Sequence, residues 1–160
     1  MTGNTLEELL RANPWFSALD EAQFDAMLAI SSEASWPAGT IIFREGEPNK
    51  NVYLICEGHV ALDIAVPMRG RVTILTLSDG DVFGWSAVLP VINIRTASAR
   101  AIEDTQAIAF DGVGMQEACE RNHELGFNVF RRLTNVVAAR LAATRMQLLD
   151  MYATGSEGDD

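Results

Sequence analysis

The stretch GDVFGWSAVLP (residues 80–90) and the RTASA that begins at Arg95 hold the residues of this sequence best suited to chemistry. Two glycines, a short apolar segment and an arginine suggest a pocket for an anion. Glycine supplies backbone conformations that other residues resist. A guanidinium supplies a permanent charge with several donors. Gly80, Gly84 and Arg95 carry that reading. Trp85 stands among them, and its indole has one N–H donor and no acceptor. It either stacks on a ligand or fills the space where one would lie.

Other chemistry finds little support. Cys56 and Cys119 are far apart, and His59 and His123 are isolated, so no metal-ligand spacing exists. Ser86 has no histidine placed by a motif, and the carboxylates show no catalytic pairing. The expectation is a non-enzyme without cofactor or metal. Its 160 residues carry a formal net charge of -10, which opposes direct contact with nucleic acid. No apolar run approaches the roughly 20 residues that span a bilayer, and no signal peptide is visible. The expectation is a cytoplasmic protein with no membrane contact.

Thr5 and Glu8 form a capping box for a short first helix, which stops at Asn13-Pro14. Asp20 starts a second helix with Phe24, Met27 and Leu28 on one face, and the stripe stops at Ser31. Short β-rich runs follow at 40–44, 51–57, 59–66, 72–77, 98–101 and 106–110, with Gly39, Gly46 and Gly58 at their ends. This rhythm suggests a β-sandwich or small barrel. From about residue 122 to 152 the period becomes helical. Phe130, Leu133, Val137, Leu141, Thr144, Leu148 and Met151 share one face. That helix would be about 45 Å long, more than a small barrel needs, so a second copy of the chain is its simplest partner. The arginines Arg131, Arg132, Arg140 and Arg145 are read as solvated or ion-paired helix positions. The organisation is a helical segment at 1–34, a β unit at 35–112, helices at 113–153 and a disordered tail at 154–160.

PWFSALDEAQFDAM, PAGTIIFREGEPNKNVYLICEGHVAL and GDVFGWSAVL with RTASARA, in that order, resemble the cyclic-nucleotide-binding domain of the cAMP receptor protein and fumarate-nitrate regulator type. The resemblance runs from about Leu9 to Tyr152. It implies an α+β, mainly β fold: an eight-stranded jelly-roll (cupin-like) β-barrel with N-terminal helices and a long C-terminal helix. It also implies a phosphate cassette, in which a short helix offers backbone amides and an arginine offers charge. Gly84 matches the cassette glycine, Ser86 and Ala87 the positions facing the phosphate, Arg95 the phosphate arginine and Thr96 its neighbour. Thr144 falls near the place where the long helix would bring a hydroxyl to the base.

Two departures qualify the implied function. The family cassette carries a glutamate for the ribose hydroxyl where this sequence has Trp85. Loss of such a charge-assisted bond costs about 1.5–3 kcal/mol. The sequence also stops at Asp160 without a helix-turn-helix, so no direct DNA binding is expected. The leading expectation is a sensor that binds a small phosphate-bearing ligand such as cAMP. It would be homodimeric through Phe130, Leu133, Val137, Leu141 and Leu148, and would signal to a protein partner. The alternative is a domain that has lost nucleotide binding and serves as a dimeric interaction module.

Overall fold

A strand buried on both faces organises the β layer. In the computed structural model, which describes residues 4–89 and 91–155, this strand is β3 (Asn51–Glu57). Its side chains alternate between two apolar clusters. Val52 and Leu54 face helices, whereas Ile55 and Tyr53 face a second sheet. Burial on both sides explains why NVYLICE reads as a nearly continuous apolar run.

Eight strands form two four-stranded antiparallel sheets. One has the order β1 (Ser31–Trp36), β8 (Thr105–Asp111), β3 and β6 (Val82–Phe83). The other has β2 (Ile41–Phe43), β7 (Ser98–Ala101), β4 (Val60–Val66) and β5 (Gly70–Leu77). The expected barrel is therefore two facing sheets without closure. Between them lie Phe43, Ile55, Val60, Leu62, Leu77, Phe83 and Ala99. The outer face of the first sheet carries the larger core, which the helices cover.

Those helices are α1 (Leu6–Ala12), α2 (Glu21–Ala29), α3 (Gly112–Arg121) and α4 (His123–Gly155), with a short 3-10 turn at Pro14–Phe16. The capping box at Thr5 and Glu8 forms as expected, and Asp20 with Gln23 makes another. Three elements exceed the sequence reading. β1 lies in a stretch read as the end of a helical segment and a turn. β6 lies in the GDVFG stretch, to which no strand was assigned. α3 starts ten residues before the expected helical change at 122. The tail expected to be disordered is helical through Gly155, and its remaining residues lie outside those described.

The long helix α4 divides its apolar stripe. Leu133 is buried in the domain's own helix-side core. Phe130, Val137, Leu141, Leu148 and Met151 remain exposed. Leu133 thus leaves the expected dimer seam because α4 must first cover its own sheet.

A second buried feature sits in the other sheet. Asp63 is fully buried and accepts from Thr73 Oγ1 at 2.6 Å and Arg100 Nε at 3.2 Å, with Arg71 Nη1 at 4.0 Å. A buried carboxylate needs such partners to remain charged.

Gly58 joins β3 to β4 at φ +122°, where a Cβ would lie 2.4 Å from Thr105 Oγ1 and 2.7 Å from Thr105 Cα. Both the conformation and the space demand glycine. Gly58→Ala is expected to lower unfolding stability by about 2–4 kcal/mol, from strain plus overpacking, as read by urea denaturation. A loss below about 0.5 kcal/mol would show that β8 yields easily here.

Candidate functional site: a buried guanidinium in the cassette

The cassette begins where β6 meets both cores. Val82 packs towards the helices and Phe83 packs between the sheets, so the backbone leaves this point firmly anchored. Gly84 follows at φ +73°, and Trp85–Val88 form one 3-10 turn. A Cβ on Gly84 would lie 2.8 Å from both Arg95 Nη1 and the Asn51 carbonyl. Only glycine lets the backbone pass this close to the arginine.

Arg95 is buried, with 3% of its surface exposed. Its Nη1 donates to the Gly84 carbonyl at 3.0 Å and its Nη2 to the Asn51 carbonyl at 2.7 Å. Its guanidinium carbon lies 4.0 Å from the centre of the Phe43 ring. Phe43 stacks on Tyr53, and Tyr53 on Phe83, with centroids 6.3 and 5.0 Å apart. The aromatic cluster therefore gives the charge a fixed, polarisable support.

The main chain of Arg95 is held as firmly. Arg95 N donates to Glu47 O at 2.8 Å, and Gly46 N donates to Arg95 O at 2.9 Å. Asn49 Nδ2 donates to the carbonyls of Ile92 and Ile94 at 2.8 and 3.2 Å. Asn49 Oδ1 accepts from Ser86 Oγ at 2.9 Å. One asparagine thus ties the cassette turn to the strand-like segment that delivers Arg95.

Arg95 has no ionic partner within 4.0 Å among the described residues, and its buried Nε has no hydrogen-bond partner. Burial lowers the tendency of this guanidinium to hold its proton, although Tyr53 and Glu47 act in the opposite direction. Asp63 has cations as partners, whereas Arg95 has carbonyls and a ring. Such a group is the natural counterpart of an external anion.

The residues expected at the site are only partly brought together. Gly84, Trp85, Ser86, Arg95 and Thr96 line one cavity of about 40 Å³. Ala87 is buried next to it in the turn, and its N–H donates to Gly84 O at 3.1 Å. Trp85 is half-buried and does two things at once: it borders the cavity and packs against the helix-side core. Thr144 stays outside. It is exposed, and its hydroxyl donates to the Arg140 carbonyl at 2.8 Å.

Arg140, one turn before Thr144, reaches the cavity instead. It is half-buried and its Nη2 donates to the Val82 carbonyl. Burial brings its guanidinium down to about 10, despite the nearby charge of Asp81. This corrects the reading of Arg140 as a solvated helix charge. Arg132 also departs from that reading, since it lies over the Trp15 ring at 5.3 Å and donates to Pro14 O.

Phe43, Asn49, Asn51 and Gln116 were not singled out from sequence. Gln116 Nε2, on α3, donates to the Ala87 carbonyl at 3.2 Å, and a Cβ on Gly112 would lie 2.5 Å from the same oxygen. The start of α3 therefore rests directly on the cassette turn. The PNKN that closes the PAG…EGEP segment contained a usable signal for Asn49. Arg140 shares a helix face with Thr144, four residues earlier, and periodicity alone made it a neighbour.

The site therefore has the parts of an anion receptor, without paired acids, a nucleophile and its base, or a metal cluster among the described residues. Comparison with known proteins gives the same direction. The profile of the family described as "Cyclic nucleotide-binding domain" matches residues 33–122. The "CRP-like cAMP-activated global transcriptional regulator" of Mycobacterium tuberculosis is 27% identical over 154 residues, which are 96% of this chain and 66% of the regulator. This chain thus spans just under two thirds of that relative's length.

Among solved structures, the Thermus thermophilus catabolite activator protein is 27% identical, with a TM-score of 0.68 over 86% of this chain and 63% of that one. A cyclic nucleotide-binding domain from Methylobacillus flagellatus has a TM-score of 0.76 over 90% of this chain and 80% of that one, at 20% identity, which supports the fold. The family match covers more than half of the 160 residues and runs from within β1 to the end of α3 with the whole cassette, so this protein belongs to the cyclic nucleotide-binding domain family.

Proposed function

We propose that the cassette binds the phosphate of a nucleotide, with cAMP or a relative as the first candidates, and that the domain is a regulatory sensor rather than an enzyme. The single observation that carries this reading is Arg95: a buried guanidinium without a carboxylate partner, with an unsatisfied Nε, beside a cavity. Retaining such a charge costs desolvation free energy, and an incoming phosphate would offset it. The names of the relatives, which include cAMP-activated and cyclic AMP receptor proteins, are consistent with that ligand class.

The same geometry supplies a route for the signal. Cassette and α3 share the Gln116 bond to Ala87, and cassette and α4 share the Arg140 bond to Val82. A cavity of about 40 Å³ is far below the roughly 300–1,000 Å³ of nucleotide-sized pockets. A nucleotide would therefore enter only if the walls move. The wall on the helix side is Arg140, which also borders a groove of about 370 Å³ between α4 and the β5–β6 region. Release of Arg140 from Val82 would join the two spaces and free α4 to shift. A ligand that binds the opened arrangement better than the closed one would thus reposition α4.

A second reading rests on the small cavity and on Trp85, half of which is packed into the core. In it, the domain no longer binds nucleotide and serves as an interaction module. Calorimetry with cAMP, cGMP and cyclic dinucleotides separates the readings. At least one is expected to bind, and Arg95→Met should abolish that binding. Arg95→Met also takes its donors from the Gly84 and Asn51 carbonyls, so it should lower stability by about 1–3 kcal/mol while leaving the domain folded by circular dichroism. Absence of heat with every nucleotide would favour the interaction module.

Both readings include a homodimer through α4. Its unpartnered stripe of Phe130, Val137, Leu141, Leu148 and Met151 is the surface available for one. Leu141→Glu is expected to convert a dimer to a monomer in analytical ultracentrifugation without unfolding the domain. An unchanged sedimentation coefficient would remove α4 as the interface.

A further inference from the structure

The wall of the cassette cavity contains two arginines, Arg95 and Arg140, and no carboxylate. Arg95 comes from the segment after the cassette, and Arg140 from the middle of α4. Their guanidiniums donate to the carbonyls of Gly84 and Val82. Neither arginine has an ionic partner within 4.0 Å among the described residues. The residue in the centre of the cassette, Trp85, is uncharged and contributes no counter-ion. A small cavity thus faces two guanidiniums whose present partners are neutral backbone oxygens.

We infer that this is a two-arginine anion site, which selects a phosphorylated small molecule with at least two negative charges, with Arg95 taking one and Arg140, released from Val82, taking the other. The inference rests on the reading of the cassette as a nucleotide phosphate site and names the charge class of its ligand. A 3',5'-cyclic mononucleotide has one negative charge and can satisfy one guanidinium. A second charge can come from a terminal phosphate monoester or from a second phosphodiester. Either would give Arg140 an anionic partner in exchange for a carbonyl, which adds Coulombic attraction to a bond that so far is charged only on the donor side. Because Arg140 belongs to α4, the second charge is also the one that would report ligand binding to the long helix. Burial keeps Arg140 at about 10, still charged near neutral pH.

The test is isothermal calorimetry of the full chain with cAMP, 5'-AMP and cyclic di-AMP, on the parent protein, Arg140→Gln, Arg140→Lys and Arg95→Met. Circular dichroism would verify that each variant is folded. At least one of 5'-AMP and cyclic di-AMP is expected to bind the parent tenfold or more tighter than cAMP. Preference for 5'-AMP would place both charges on one phosphate, and preference for cyclic di-AMP would place them on two. Arg140→Gln should weaken the preferred dianion at least tenfold and cAMP less than threefold, and Arg140→Lys should recover part of the loss. If Arg140→Gln weakens all three equally, or none, while Arg95→Met abolishes binding, the cassette reading stands and the two-charge inference falls. If no nucleotide binds the parent, both fall together.

Discussion

The free-energy cost of a charge inside an apolar domain governs how this structure is arranged. Arg95 is folded into the interior against Phe43, with backbone carbonyls in place of a carboxylate. Much of the surrounding architecture exists to hold it there. Gly84 adopts a left-handed conformation and leaves no side chain in its way. Gly46 and Glu47 pair with its main chain, and Asn49 fixes the segment before it. The stacked rings of Phe43, Tyr53 and Phe83 form a floor beneath the charge. The contrast with Asp63 is informative. That carboxylate is equally buried, but Arg100 and Thr73 neutralise and satisfy it within the fold. One buried charge is complete, and the other is not.

The surroundings of this incomplete charge connect to the C-terminal helices. Here the start of α3 rests on the cassette turn, through the Gln116 bond to Ala87 and the close approach of Gly112, and β6 just before the turn accepts from Arg140 of α4. A neutral bond such as that of Gln116 contributes about 0.5–1.5 kcal/mol, and one with a charged donor such as Arg140 about 1.5–3 kcal/mol. They are therefore weak enough for a ligand to exchange and strong enough to bias an equilibrium. The long helix also keeps an apolar stripe on its free side, beyond the point where Leu133 anchors it to the core. A shift of α4 against the sheet would thus change what that stripe presents.

The parts legible in the sequence were those whose cause is local. Capping boxes at Thr5 and Asp20 follow from residue type and spacing. The order PAG…EG…GDVFG is legible because turns with positive φ need glycine, as at Gly39, Gly46 and Gly84. β1 was not legible. SSEASW has little apolar character, and as an edge strand it pairs with β8 alone. β6 is two residues long, too short for any period. α3 starts at Gly112 and contains Gly114, which local propensity counts against a helix. Gly112 is there because the Ala87 carbonyl leaves no space for a Cβ, a long-range cause. Arg140 was hidden for a similar reason. A helix arginine is usually solvated, and only the crossing of α4 over β6 turns this one inward. The same crossing leaves Thr144 outside, with its hydroxyl returned to its own helix.

Trp85 illustrates how the two causes combine. Its chemistry, a donor without an acceptor, is evident from sequence, but its position between core and cavity depends on the whole fold. The central claim is that Arg95 is kept charged and uncompensated for an external phosphate. A crystal structure of the protein grown with saturating cyclic nucleotide or cyclic dinucleotide tests it most directly. The account predicts phosphate oxygens within about 3 Å of the Arg95 guanidinium. A cassette that stays closed, with Arg95 still bound only to the Gly84 and Asn51 carbonyls, would contradict it.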